Sequence, residues 1–177
     1  MTTASIASGR IELRTTPTKM IVTDRARCSG CQRCEMMCTL KNDGATQQSI
    51  ARVRVWDNYN FGSGVDTNDG IFGNCQFTVA SCKQCVDPQC AKYCPVHAIH
   101  SDEETGARVV DEDVCIGCGM CAQACPYGAP SYDEASSTTF KCDGCYDRRQ
   151  RGELPACVAA CPGANPVSYT HLRAHET

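Results

Sequence analysis

Cys115, Cys118, Cys121 and Cys125 stand two, two and three residues apart, and Pro126 follows the last. Thiols at this spacing suit iron chemistry. Three of them can curl round one iron–sulfur cube, while the fourth points away and ligates a second. Such a run implies a partner run, and the chain has three. Cys28, Cys31, Cys34 and Cys38 repeat the spacing, but Thr39 stands where the proline would be. Cys82, Cys85, Cys90 and Cys94 widen one gap to four residues, with Pro88 inside it and Pro95 after the last cysteine. Cys142, Cys145, Cys157 and Cys161 widen the same gap to eleven and end on Pro162.

Sixteen of the 17 cysteines therefore fall into four groups of four. That is the number four 4Fe–4S clusters need, with no group left short. A zinc ribbon would use two pairs per site, not triplets followed by Cys-Pro. A disulfide scaffold needs an oxidising compartment. Residues 1–20 are rich in Thr and Ser and lack the apolar run of a signal peptide, so a reducing cytoplasm is expected. Cys75 lies outside every group and reads as an ordinary thiol. His97 and His100 follow the second group, but each group already has four cysteines, so both read as structural. Gly62-Ser63-Gly64 has no phosphate-loop context. No nucleophile elbow or dinucleotide fingerprint occurs. The expectation is an electron carrier with no substrate site of its own.

The elements that position the cysteines are short. Residues 1–20 read as a flexible lead-in. Ile21-Val22-Thr23 reads as a strand entering the first group. Arg52-Val53-Arg54-Val55-Trp56 alternates polar and apolar, as a half-buried strand does, and Gln76-Phe77-Thr78-Val79 is its expected hairpin partner. Residues 98–101 and 108–111 flank a turn at Glu103-Glu104-Thr105-Gly106 and read as a second hairpin. The recurrence of group, helix and hairpin suggests an internal duplication. Gly30, Gly117, Gly119 and Gly144 would let backbone N–H groups approach cluster sulfides, and Pro95, Pro126 and Pro162 would turn the chain away. Trp56 and the tyrosines are expected to pack rather than relay electrons.

Leu, Ile, Val and Phe make up only 27 of 177 residues. A core so thin needs cross-links to hold it. The formal charge is −3. Four clusters at roughly −2 each would take it to about −11. With no basic stripe, nucleic acid is not an expected partner. No segment reaches transmembrane length, so no direct membrane insertion is expected. The last eleven residues, 167–177, back-translate to a common transposon-type sequencing adapter. They are set aside from the fold, and a further native C-terminus is expected beyond Pro166.

The order of the groups, 2-2-3, 2-4-3-Pro, 2-2-3-Pro and 2-11-3-Pro, resembles the four-cluster electron-transfer subunits of molybdenum and tungsten oxidoreductases, such as dimethyl sulfoxide reductase, formate dehydrogenase and nitrate reductase. The likeness covers residues 21–166. Around the first group, Val22-Thr-Asp-Arg-Ala-Arg-Cys28 and Cys34-Glu35 look most similar to the small subunit of tungsten-dependent aldehyde oxidoreductases, as do Asn42-Asp-Gly44 and Asn58-Tyr-Asn-Phe-Gly62. The resemblance implies an α+β protein of two interlocked dicluster ferredoxin-like folds with an inserted β-hairpin region. Residues 21–45 plus 133–166 would form the outer domain, 80–132 the inner one, and 46–79 the insertion. It also implies a ligand pairing. Cys28, Cys31, Cys34 and Cys161 would hold one cluster, and Cys142, Cys145, Cys157 and Cys38 its neighbour. Cys82, Cys85, Cys90 and Cys125 would hold the third, and Cys115, Cys118, Cys121 and Cys94 the fourth. The implied partner is a large molybdenum- or tungsten-pterin subunit, aldehyde oxidoreductase in type, with a further acceptor subunit. The other forms in view are a membrane quinone-linked complex with its anchor, and a free-standing polyferredoxin.

Overall fold

The computed structural model describes residues 19–23, 28–58, 76–162 and 167–171. Cys75, the Gly62-Ser63-Gly64 loop, most of the expected lead-in and residues 172–177 lie outside the described residues. By contact the chain divides into two compact units, one built on Ser81–Pro155 and the other on Val22–Ala80 with Ala156–Ser168. Strands Ser131–Asp133 and Thr138–Phe140 pair with each other within the first of these units.

The unit on Ser81–Pro155 is built from short pieces. β4 (Ile99–Ser101) and β5 (Arg108–Val110) form the expected hairpin, with Ile99 opposite Val110 and Ser101 opposite Arg108. Its turn is closed by Asp102, whose carboxylate accepts from Thr105 N–H at 2.7 Å and whose carbonyl accepts from Gly106 N–H at 2.9 Å. β6 (Ser131–Asp133) and β7 (Thr138–Phe140) form a further hairpin that the hydrophobic pattern does not announce. Helices α2 (Gln89–Lys92), α3 (Met120–Ala124) and α4 (Tyr146–Gln150) are about one turn each. α2 packs on α3 and on β4. Where they meet, Cys90, Ala91, Ile99 and Cys121 form one buried cluster with Val110 against it.

The other unit is organised by α1 (Arg33–Asp43). This helix has no apolar stripe; its buried residues are Glu35, Cys38 and Thr39. It ends at Gly44, whose left-handed conformation (φ 68°) returns its N–H to the Leu40 carbonyl at 3.2 Å. α1 packs against α5 (Ala156–Ala159) and against β2 (Val53–Asn58). β2 pairs with β3 (Gln76–Ser81), the expected hairpin partner. Val53 is fully buried and Trp56 is 57% exposed. Alternation along β2 puts Trp56 on the opposite side from Val53, so it does not pack as expected.

β1 (Lys19–Thr23) pairs with β8 (Val167–His171). β8 lies within the adapter-like tail that the sequence sets aside. Its Val, Tyr and Thr residues favour extended structure, and β1 offers a strand edge to pair with.

Among the described residues the buried apolar side chains are mostly small or thiol-bearing. Eight of them are cysteines and five are alanines; Ile21, Val53, Ile99 and Val109 are the larger ones. The cysteines are themselves a large part of the core. Among these residues no helix is long and apolar enough to cross a membrane.

Candidate iron–sulfur sites

Each cysteine group opens with the same backbone device. The residue just before the second cysteine is left-handed in all four: Gly30 (φ 67°), Gln84 (φ 51°), Gly117 (φ 65°) and Gly144 (φ 69°). Alternating right- and left-handed residues turn successive N–H groups inward and form an anion-binding concavity of the type found at iron–sulfur sites. In the second group a glutamine takes the place glycine holds elsewhere. Its side chain is anchored twice: Oε1 accepts from Arg108 N–H at 2.7 Å, and Nε2 donates to the Cys142 carbonyl at 2.8 Å. Gln84 is 3% exposed.

Cys82, Cys85, Cys90 and Cys125 line one cavity of about 120 Å³ in the Ser81–Pro155 unit. Lys83, Asp87, Arg108 and Lys141 share its wall. The guanidinium of Arg108 donates from Nε to the Cys85 carbonyl at 3.1 Å and from Nη2 to the Val86 carbonyl at 3.3 Å. Lys141 Nζ donates to the Arg108 carbonyl and, at 3.3 Å, to the Cys142 carbonyl. Burial pushes the Cys90 thiol up to about 11, against the pull of the Lys141 charge; Cys82 and Cys125 add to the rise. Burial also raises Cys85, reinforced by Cys82 and Cys125 and opposed by Arg108. The first three cysteines of group two and the last of group three thus act on one another.

Cys94, Cys115, Cys118 and Cys121 line a second, tighter cavity of about 10 Å³. Its other walls are Val96, Ala98, Ile99, Val110, Ile116 and Thr139. Two sulfurs accept backbone hydrogen bonds: Cys94 from Ala98 N–H at 3.3 Å, and Cys115 from Thr139 N–H at 3.5 Å. Burial raises the Cys121 thiol, and a hydrogen bond with the Thr139 side chain opposes the rise.

In the other unit, Cys34 and Cys38 lie on α1 and Cys157 lies on α5, which packs against it. Burial and the neighbouring Glu35 charge push Cys34 up to about 12. The Glu35 carboxylate accepts from Val55 N–H at 2.6 Å, and Cys38 Sγ is 3.5 Å from Asn42 Nδ2, which donates to it. Cys28 and Cys31 precede α1, and Cys161 follows α5. Cys142 and Cys145 belong to the Ser81–Pro155 unit.

The donor sets fit a cluster. All sixteen grouped cysteines are thiols outside any disulfide. Thiols that resist ionisation need a metal charge beside them, and coordination deprotonates them outright. Among the described residues, no three His, Cys, Asp or Glu side chains close on a point as ligands of one ion do. Four thiolates on one zinc, at about 2.3 Å each, stand about 3.8 Å from one another. Four thiols lining one cavity suit a polynuclear centre.

Residues 74–167 match the model of the 4Fe–4S dicluster domain. The chain belongs to this family. The dicluster chain is also 44% identical over 143 residues to the B subunit of the anaerobic dimethyl sulfoxide reductase of Escherichia coli K12, covering 78% of this chain and 67% of the relative. It is 40% identical over 141 residues to the B subunit of the same reductase from Haemophilus influenzae, with the same coverage. The ferredoxin-like protein YdhY of E. coli K12 is 40% identical over 137 residues, covering 77% of this chain and 66% of that protein. The dicluster chain thus spans about two thirds of the length of these relatives. They support the molybdenum-type resemblance. They do not support the leaning towards the tungsten aldehyde oxidoreductase branch, which rested on short stretches: the first group's flanks, Asn42-Asp-Gly44 and Asn58-Tyr-Asn-Phe-Gly62.

Three residues of the dicluster chain's inner sites escape the cysteine spacing: Gln84, Arg108 and Lys141. Gln84 had a faint signal, since it stands where the other three groups have glycine. Arg108 and Lys141 had none, because a strand-end arginine or lysine is ordinarily solvated.

Proposed function

We propose that this chain is the iron–sulfur, electron-transfer subunit of a dimethyl sulfoxide reductase-type molybdenum oxidoreductase. It carries electrons through four 4Fe–4S clusters between a large pterin-bearing catalytic subunit and a membrane anchor that reacts with quinone, and has no substrate site of its own. The observation that carries this reading is the pair of cavities in the Ser81–Pro155 unit. Each is lined by four cysteines, three from one group and one from the other. The names of the relatives point to the same class of complex.

The ligand sets follow. Cys82, Cys85, Cys90 and Cys125 hold one cluster, and Cys115, Cys118, Cys121 and Cys94 the next. On the family pattern, Cys28, Cys31, Cys34 and Cys161 hold a third, and Cys142, Cys145, Cys157 and Cys38 a fourth. A bound 4Fe–4S cluster supplies a one-electron redox centre whose potential depends on charge, hydrogen bonds and exposure. The chain's own work is to bind and to tune. Thiolates ligate, the left-handed loops aim N–H groups inward, and the N–H groups of Ala98 and Thr139 stabilise ligand sulfur. We place the subunit in the cytoplasm, where thiols stay reduced until iron arrives.

The test is anaerobic purification with its operon partners. About sixteen iron and sixteen sulfide per chain are expected, together with a co-purifying large subunit that contains molybdenum. About eight iron would remove two of the four proposed sites. Tungsten in place of molybdenum would favour the aldehyde oxidoreductase reading. A chain that purifies alone and fully loaded would favour a free polyferredoxin.

A further inference from the structure

The two inner cavities belong to one unit and offer the same four thiols, but their walls differ in charge. The wall of the Cys94–Cys115–Cys118–Cys121 cavity holds aliphatic side chains and Thr139, and no charged one. The wall beside Cys82, Cys85, Cys90 and Cys125 holds Lys83, Arg108 and Lys141. Its one acid, Asp87, is paired with Lys92 at 2.6 Å. Arg108 is 2% exposed and Lys141 3%.

Burying a cation is costly unless an anion faces it. The hydrogen bonds of Lys141 Nζ run to the carbonyl oxygens of Arg108 and Cys142, and Arg108, on the same wall, donates to the carbonyls of Cys85 and Val86. Carbonyls fix the direction of a charge without cancelling it. The anion this wall suits is a cluster carried by four thiolates. Reduction adds one more negative charge there, so a buried cation stabilises the reduced form more than the oxidised one. Solvent and salt screen buried charges little.

We propose that Lys141 and Arg108 hold the centre at Cys82, Cys85, Cys90 and Cys125 at a higher reduction potential than the centre at Cys94, Cys115, Cys118 and Cys121, making it the resting place of the first electron on the inner pair. The proposal rests on the cluster reading above and goes beyond it, by ranking two sites with identical ligands.

The experiment is an anaerobic redox titration of the loaded subunit followed by electron paramagnetic resonance. Lys141→Gln keeps a donor and removes the charge; Arg108→Gln is the second variant, used if the first loads poorly. The centre is assigned by its loss or change in Cys85→Ser, and its neighbour by the same effect in Cys118→Ser. The assigned centre is expected to be the more easily reduced in the unaltered protein. Each charge-removing variant is expected to keep about sixteen iron and to reduce that centre's equilibrium constant at least tenfold, a fall of about 59 mV for one electron. Lys141→Arg is expected to restore most of the potential. Full loading with no midpoint moved by that amount would overturn the proposal and leave the cluster reading intact. A shift confined to the centre lost in Cys118→Ser would also overturn it. A Cys85→Ser variant that loses or alters no centre would instead sink the cluster reading, and the proposal with it.

Discussion

Gly117 and Gly119 offer a controlled comparison inside one cluster loop. Both are left-handed, with φ of 65° and 72°, and they flank Cys118. Alanine at either position meets the same conformational penalty, about 1–2 kcal/mol. Their surroundings differ. A Cβ on Gly119 meets nothing within 4 Å. A Cβ on Gly117 would lie 2.3 Å from the Ser137 carbonyl oxygen and 3.0 Å from Tyr132 Cε2. The first of these is backbone in the β6–β7 turn, so relief requires the hairpin to shift by about 1 Å against the cluster loop, and overpacking of this kind costs about 1–3 kcal/mol. Gly119→Ala should therefore lose about 1–2 kcal/mol, and Gly117→Ala about 2–5 kcal/mol. Several clusters rule out a simple two-state free energy. The suitable assay is the rate at which visible cluster absorbance bleaches in guanidinium under argon. Gly117→Ala should bleach about 5- to 150-fold faster than Gly119→Ala, the factor that 1–3 kcal/mol implies. Equal rates would refute the reasoning, since the shared backbone penalty would then be the whole effect.

Four further outcomes follow from the same structure. Gln84→Ala keeps the left-handed strain and removes two buried hydrogen bonds, from Arg108 N–H and to the Cys142 carbonyl, the latter keeping its bond from Lys141 Nζ, so the loss is about 1–3 kcal/mol in all. Gln84→Gly loses the same bonds but relieves the strain, so it should retain more iron than Gln84→Ala despite removing more atoms. Glu35→Gln preserves an acceptor for Val55 N–H and removes a buried anion beside Cys34, so redox titration should show one outer-unit centre rising in potential, by about 59 mV if its reduction constant gains tenfold. Stripping iron with a chelator and oxidant should abolish most of the circular dichroism of the folded chain, because so much of its buried surface is cysteine. Reloading the apoprotein in weak buffer should release protons, since thiols raised to about 11 and 12 at Cys90 and Cys34 enter the site neutral. It should also slow as pH falls.

The cysteine groups were legible because ligation forces residue type and interval together; no core or surface demand reproduces four such runs. The β2–β3 and β4–β5 hairpins were legible for a milder reason, alternation beside turn residues. β6 and β7 are three residues each, too short to alternate, and only the Asp133 side chain closing its own turn onto Ala135 and Ser136 N–H marks them. Trp56 misled because a large aromatic on a strand ordinarily seeks cover. The left-handed site shared by Gly30, Gln84, Gly117 and Gly144 was half visible, as a run of glycines with one exception. Arg108 and Lys141 could not be read at all: whether a long cationic side chain reaches solvent or a cavity wall depends on tertiary placement, to which local pattern is blind.

That placement ties stability to redox tuning in one set of side chains. Gln84 joins the second cysteine loop to β5 and to Cys142 at the start of the fourth group. Lys141 joins the same two elements through the carbonyls of Arg108 and Cys142. Arg108 returns from β5 to Cys85 and Val86. A conventional core would lock these three segments with aliphatic side chains, but the chain has few to spend. Polar cross-ties do the locking, and two of the three carry positive charge to the cavity wall. Removing that charge while keeping a donor should therefore lower the potential and leave iron retention nearly unchanged, whereas breaking the neutral Gln84 tie should weaken retention and leave the potential nearly unchanged. Measuring both quantities in Lys141→Gln and Gln84→Ala separates the two roles. A Gln84→Ala variant whose potential falls as far as that of Lys141→Gln would show that loop position, not charge, sets the midpoint.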